Sequence, residues 1–211
     1  MRYVIVSFFL FFVLACTSDD SNSYEIGEPD FFGLKIGNTW EYHYYKRQGT
    51  LENYTYIFDG AKSTNEVKGI VEIDGEEFFE IEISMEGNCS GCPPEGVSHT
   101  YLKVVDNKLI NESSHILLFV GESIGQEKIS SSSLYGDIII TYSGESSFES
   151  EYGDFPNVHN NNMIIVVGDT QGLGLDSIKF VEGIGMVFRT ISGASSPFPF
   201  AKQYLVNFTS N

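Results

Sequence analysis

Several groups of residues in this chain have types and spacings that chemistry uses. Cys89-Ser90-Gly91-Cys92 sets two thiols three positions apart in a loop rich in Gly and Pro. Such a pair is a redox couple when the first Cys opens a helix whose N-terminus lowers its pKa. It is half of a zinc site when two further ligands stand near. Here Pro93 and Pro94 follow at once, no helical period does, and only His99 is close in sequence. The pair therefore reads as a local disulfide, expected in an oxidising compartment, that staples a hairpin loop and adds little chain entropy. Gly121-Glu122-Ser123-Ile124-Gly125 has the G-x-S-x-G spacing of a nucleophile elbow, with Asp154 and His159 following in the order acid, then base. That is serine-hydrolase chemistry, and Ser123 would be its nucleophile. Against it stand a Ser-rich continuation, the lack of an oxyanion-loop motif, and no sign of a parallel sheet with crossover helices.

Other groups are weaker. His43, His99, His115 and His159 are scattered rather than paired, and the acids fall mostly on outward strand positions and turns. Neither pattern builds a metal site, and no cofactor is implied. Gly172-Leu173-Gly174-Leu175-Asp176-Ser177-Ile178 echoes one turn of a calcium-binding nonapeptide, but such turns bind only when stacked, and there is a single copy. Tyr42, Tyr44, Tyr45, Tyr54 and Tyr56 form the densest aromatic group. They are candidates for a surface that binds a glycan, a peptide or a protein, although neighbours such as Tyr44 and Tyr45 must point to opposite faces of a strand.

The elements that would position these residues are strands. Trp40, Tyr42 and Tyr44 share one face of a strand starting near Thr39, and Tyr54, Tyr56 and Phe58 share a face of the next. Val67, Val71 and Ile73 suggest a third, ending at Asp74-Gly75, a dipeptide suited to a tight hairpin because both positions accept positive φ. Beyond it Phe79, Ile81, Ile83 and Met85 alternate with Glu80, Glu82 and Ser84, the mark of an antiparallel sheet with one wet face. Further strands are expected at 98–105, 108–112, 137–143, 163–168, 177–182, 185–191 and 203–209, while Ile116 to Val120 fits either a strand or a short helix. No convincing helical period spans ten residues, and 21 Gly with many β-branched residues weigh the same way. The expectation is one all-β domain over residues 31–211, either an antiparallel sandwich or a curved, partly open barrel.

The N-terminus supplies the address. After Arg2, the largely apolar run from Tyr3 to Ala15 has 13 residues, too few for a spanning helix of ~20 but right for a signal peptide. Val13-Leu14-Ala15-Cys16 resembles the lipobox of bacterial lipoproteins, with Val where Leu is commonest. The resemblance implies cleavage after residue 15 and acylation of Cys16, palmitate being one such chain, which ties the protein to a membrane. Residues 16–30 then read as the lipidated Cys and a flexible tether. Ser18-Asp19-Asp20 resembles the acidic signal that sends lipoproteins of Bacteroidetes-type bacteria to the outer face of the outer membrane. Asp176-Ser177-Ile178 resembles the O-glycosylation acceptor of exported proteins from the same bacteria.

Two more stretches, Gly37-Asn38-Thr39-Trp40-Glu41-Tyr42 and Phe180-Val181-Glu182-Gly183-Ile184-Gly185-Met186-Val187, resemble a loose set of β-rich envelope lipoproteins from Bacteroidetes-type bacteria. Members of that set are mostly of unknown function, so the resemblance implies fold and address only. Physically, Trp40 is expected to anchor the first strand, and the two Gly to bend the chain between two strands with Ile184 buried.

Composition agrees with an envelope address and excludes nucleic acid. Of 211 residues, 12 are Lys or Arg and 29 are Asp or Glu, a formal charge of −17 with no basic stripe to offset it. Removing residues 1–15 takes away Arg2, the only charge there, so the mature chain is one unit more negative. The reading is a non-catalytic, surface-exposed outer-membrane lipoprotein for binding or scaffolding. The alternatives are a carrier or sensor of an apolar ligand held in an open barrel, and a hydrolase built on Ser123.

Overall fold

The structure is a computed structural model that describes residues 28–89, 92–121, 125–132, 136–167, 170–193 and 195–211. The signal peptide, Cys16, most of the tether and Ser123 lie outside the described residues.

Twelve strands make one antiparallel sheet: β1 (Thr39–Gly49), β2 (Tyr54–Ile73), β3 (Glu76–Glu86), β4 (Gly96–Val105), β5 (Lys108–Asn111), β6 (Ile116–Phe119), β7 (Gly125–Ser132), β8 (Gly136–Ser150), β9 (Gly153–Val167), β10 (Thr170–Val181), β11 (Gly185–Ile191) and β12 (Ala201–Thr209). The order across the sheet is β6-β5-β4-β3-β2-β1-β12-β11-β10-β9-β8-β7. Every strand pairs with its neighbours in the chain except that β6 does not pair with β7. The first and last strands pair with each other, and β6 and β7 form the two edges. The sheet curls until β6 approaches β7 and β8. Across that seam the Phe119 amide donates to Oδ1 of Asn161 on β9 at 3.1 Å, a side chain standing in for a ladder bond. This is the curved, partly open barrel, and not the sandwich.

Asp74 and Gly75 both take positive φ, 53° and 83°, and turn β2 into β3 as the dipeptide demands. Three expectations need correction. The strands expected around 54–58 and 67–73 are one long strand, β2; the polar stretch between them stays in the ladder because Ala61 and Ser63 pack inward, with Ser63 bonded to Tyr44. The strands expected at 137–143 and 163–168 run on as a long hairpin, β8 and β9, through a Ser-, Gly- and Asn-rich stretch. Its polar side chains bond one another across the pair, as Asn160 does to Ser146 and to the Gly144 carbonyl. Ser-rich β7 was not expected as a strand at all, and the ambiguous apolar run is β6.

One end of the curl is closed by the segment before β1. Pro29–Phe32 forms a single 3-10 turn, and Phe31, Phe32 and Leu34 insert into the core at 1–3 % exposure. Gly33 is required there: its φ is 74°, and a Cβ would stand 2.7 Å from the Ile184 carbonyl oxygen. The two stretches that carry the lipoprotein resemblance meet at this end. Trp40 Nε1 donates to the Ile184 carbonyl, and Tyr42 Oη donates to the Met186 carbonyl at 2.9 Å. The Gly183 amide donates to the Phe31 carbonyl at 2.9 Å, so plug, first strand and the β10–β11 turn are locked together. Ile184 itself is only half-buried; the group drawn into the core is its carbonyl.

Candidate functional site

The inward face of the sheet does not fill its interior. A cavity of about 410 Å³ lies inside, within the roughly 300–1,000 Å³ of small-molecule sites. Phe32, Trp40 and Phe180 bound it towards the plug, with Ile81, Leu102, Leu109, Ile178 and Ile191 among its aliphatic walls. The exposed residues His115 and Leu117 also line it, so the cavity meets the surface along β6, beside the seam.

The wall is apolar apart from a few groups, and four polar side chains form a row across four adjacent strands. Tyr44 on β1 pairs with Gln203 on β12, which pairs with Arg189 on β11. Gln203 Nε2 donates to Tyr44 Oη at 3.1 Å, and Tyr44 Oη lies 3.2 Å from Ser63 Oγ on β2. Tyr44 Oη thus links Gln203 on one side to Ser63 on the other. Burial pushes the Tyr44 phenol up from its ordinary pKa, while the Ser63 bond and the Arg189 charge pull the other way. Burial also raises that of Tyr42, so both phenols stay neutral donors at any physiological pH.

Arg189 ends the row on the cavity wall, and its Nε is buried with no hydrogen-bond partner among the described residues. Asp176, also inward-facing and 8 % exposed, is within electrostatic reach of it. Burial raises the Asp176 pKa, opposed by hydrogen bonds from Ser192 and by Arg189. Among the described residues no carboxylate forms an ion pair with Arg189. Asn65, on β2 two residues beyond Ser63, also lines the cavity, and its Oδ1 is another buried polar atom without a partner among the described residues. Sequence reasoning missed this row. The signal was Arg189 itself, which shares the inward period of Val187 and Ile191 in a mostly buried strand.

The five tyrosines do not form one surface. Tyr42 and Tyr44 face the interior at 4 % and 3 % exposure and line the cavity. Tyr45, Tyr54 and Tyr56 lie on the outer face, half-buried under other segments. Tyr45 Oη bonds Glu151 and Tyr152 at the end of the β8–β9 hairpin. Tyr54 packs on Phe198 at 4.9 Å, and Tyr56 Oη donates to the Pro199 carbonyl at 3.0 Å.

Cys89 and Cys92 are joined, with Cα atoms 5.3 Å apart, in the loop between β3 and β4, and Cys89 is part of the core. His159 is buried, with Nδ1 3.0 Å from Tyr142 Oη, whereas His43 stacks on Phe58 outside the sheet. His99 contacts Glu80 on the outer face. Among the described residues no three His, Cys, Asp or Glu side chains converge as metal ligands. The Ser177 amide is bonded to Thr190 Oγ1, which holds this sequon residue in the β10 ladder region next to β11.

No protein family and no curated protein matches the chain. Two solved structures resemble it in outline. One is a protein described as exported, with a YmcC-like fold, from Bacteroides fragilis: TM-score 0.44 and 8 % identity over 85 % of this chain and 99 % of that one. The other is a protein described as a lipoprotein from Parabacteroides distasonis: TM-score 0.43 and 10 % identity over 85 % of this chain and 98 % of that one. At this distance each is a likeness of outline alone.

Proposed function

We propose that this chain is a non-catalytic lipoprotein, anchored by acylated Cys16 to the outer membrane and exposed at the cell surface, whose β-domain carries or senses an apolar ligand. The observation that supports the carrier over the scaffold is the cavity of about 410 Å³, walled by aromatic and aliphatic side chains and reaching the surface beside β6. A scaffold needs a filled core, and protein interiors otherwise pack with few voids larger than a water. The anchor fits this role: a protein tied to a membrane surface stands where apolar compounds partition.

Two measurements test the parts of this reading separately. Native mass spectrometry of the mature protein from intact cells is expected to show a non-covalent mass released on activation. A bare chain whose Trp40 fluorescence is also unmoved by any amphiphile would remove the carrier role. Trp40 is the only Trp and lines the cavity, so the reporter is built in. For the anchor, Cys16→Ala is expected to abolish palmitate incorporation and release the protein from the membrane. Labelling of Ser123 by a fluorophosphonate would overturn the non-catalytic part.

A further inference from the structure

The hydrogen-bonded row inside the sheet ends at a cation, and the cation ends at an unused donor. Arg189 lies on the wall of an apolar cavity in a protein of net charge −17, and among the described residues no Asp or Glu lines that wall. A buried N–H without an acceptor is costly, and a guanidinium away from bulk water more so unless an anion meets it. Its planar fork matches a carboxylate in two parallel bonds, short and charge-assisted. Gln203 and Tyr44 hold the neighbouring positions on the row and are already bonded to each other, which leaves Arg189 as the open end. Asp176, the acid closest in electrostatic terms, is also buried with its Oδ1 unpartnered among the described residues, but it forms no ion pair with Arg189 and does not line the cavity, so it is not the group that meets the guanidinium there.

We propose that the cavity binds a single-chain carboxylate amphiphile, with its acyl chain against Trp40, Ile81, Leu109 and Ile178 and its carboxylate on the Arg189 guanidinium. This rests on the carrier reading and names its ligand class. Size restricts the occupant. At about 410 Å³ the cavity is at the lower end of small-molecule sites, which suits one acyl chain. A phospholipid brings a second chain and a bulky phosphodiester head group, for which the described lining offers one guanidinium and no Lys or second Arg. The head group lies inward beside the row, while the cavity reaches the surface at His115 and Leu117 on β6.

The test compares dodecanoic acid with 1-dodecanol at pH 7.5, where the free acid is ionised. The mature lipidated protein is held on phosphatidylcholine liposomes, and Trp40 fluorescence is titrated for wild type and Arg189→Met. Partition into the liposomes is common to both proteins, so the ratio of their affinities for each compound is the reading. The expected ratio is about tenfold for the acid, the scale of a charge-assisted bond, and near one for the alcohol. Arg189→Lys keeps a point charge without the fork and is expected to lose about threefold on the acid alone; it decides the matter if Arg189→Met does not fold. Ratios near one for both compounds overturn the carboxylate assignment and leave the carrier reading standing. No fluorescence response to either compound by the wild type removes both.

Discussion

The two faces of β1, β12 and β11 carry equally aromatic side chains and use them in opposite ways. Inward, Trp40, Tyr42 and Tyr44 direct polar atoms at specific partners and leave open space beside them. Outward, His43, Tyr45, Phe188 and Tyr204 are packed ring on ring beneath the end of the β8–β9 hairpin. Phe148 meets Phe188 at 5.1 Å, and Tyr152 reaches both His43 and Tyr204. An up-and-down sheet ordinarily has one dry face and one wet one. Here the outer face of three central strands is covered as well, and the cover comes from the stretch least like a strand in sequence. The difference suggests a division of labour: the outer layer holds the curvature, so the interior can stay partly empty.

That division is broken or sharpened by substitution on each side. The largest loss is expected at the inner edge of the plug. Phe180 is fully buried and its ring meets Phe31, Phe32 and His159 at 5.3–5.7 Å. Phe180→Ala is expected to lower stability by about 3–5 kcal/mol, read as a fall in the urea midpoint. A loss under 1 kcal/mol would mean the plug end is as loosely packed as the cavity. Next comes Tyr44→Phe, which removes one hydroxyl and strands Gln203 Nε2 and Ser63. About 1–3 kcal/mol is expected, because the partners remain buried without an acceptor or donor. The same variant is expected to keep amphiphile binding, since Arg189 is not altered.

Much of this inner architecture was legible in the sequence, and the outer cover was not. Period-two alternation marked the inward set of β1 and β3, and Asp74-Gly75 marked the hairpin from β2 into β3, because apolar burial and positive φ are local demands. The long middle of β2 and most of β8 and β9 were not legible, since Ser63 and Asn160 hold their places through side-chain bonds to the adjacent strand, and Asn161 through one across the seam to β6, rather than by burial of apolar area. The tyrosines show the same limit. Alternation separates Tyr44 from Tyr45, but it does not say that the outer face is roofed. The cavity was invisible for a further reason: empty space is a property of how twelve strands curve together, and no window of sequence carries it.

A smaller effect is expected on the outer face. Tyr152 is half-buried, and Tyr152→Ala removes its ring contacts with His43 and Tyr204 and its bond to Tyr45. About 1 kcal/mol is expected, on the scale of one or two aromatic pairs, from the urea midpoint. If the roof supports the curvature, hydrogen exchange in β11 and β12 should also accelerate, while β3 and β4 stay unchanged. An effect confined to the hairpin tip would show that the outer layer is an ornament of the sheet and not its brace.

The least effect, and the finest test of the contrast, is in pH. Burial lowers the His159 pKa, against the opposing pull of Glu145, whose Oε1 is 3.7 Å from Nδ1, and of Glu182. Burial thus favours the neutral ring, whose Nδ1 shares a hydrogen bond with Tyr142 Oη. When the unfolded chain takes up a proton near pH 6.5 and the folded chain does not, stability is lost as pH falls through that value towards the lower folded pKa. Above about pH 6.5 the group contributes its full effect. The wild-type urea midpoint should thus drop between pH 8 and 5.5 by more than that of His159→Gln, which has nothing to titrate there. Equal slopes would mean that water or a carboxylate stabilises the charged ring, and the inner face at this point would be as wet as an ordinary outer one.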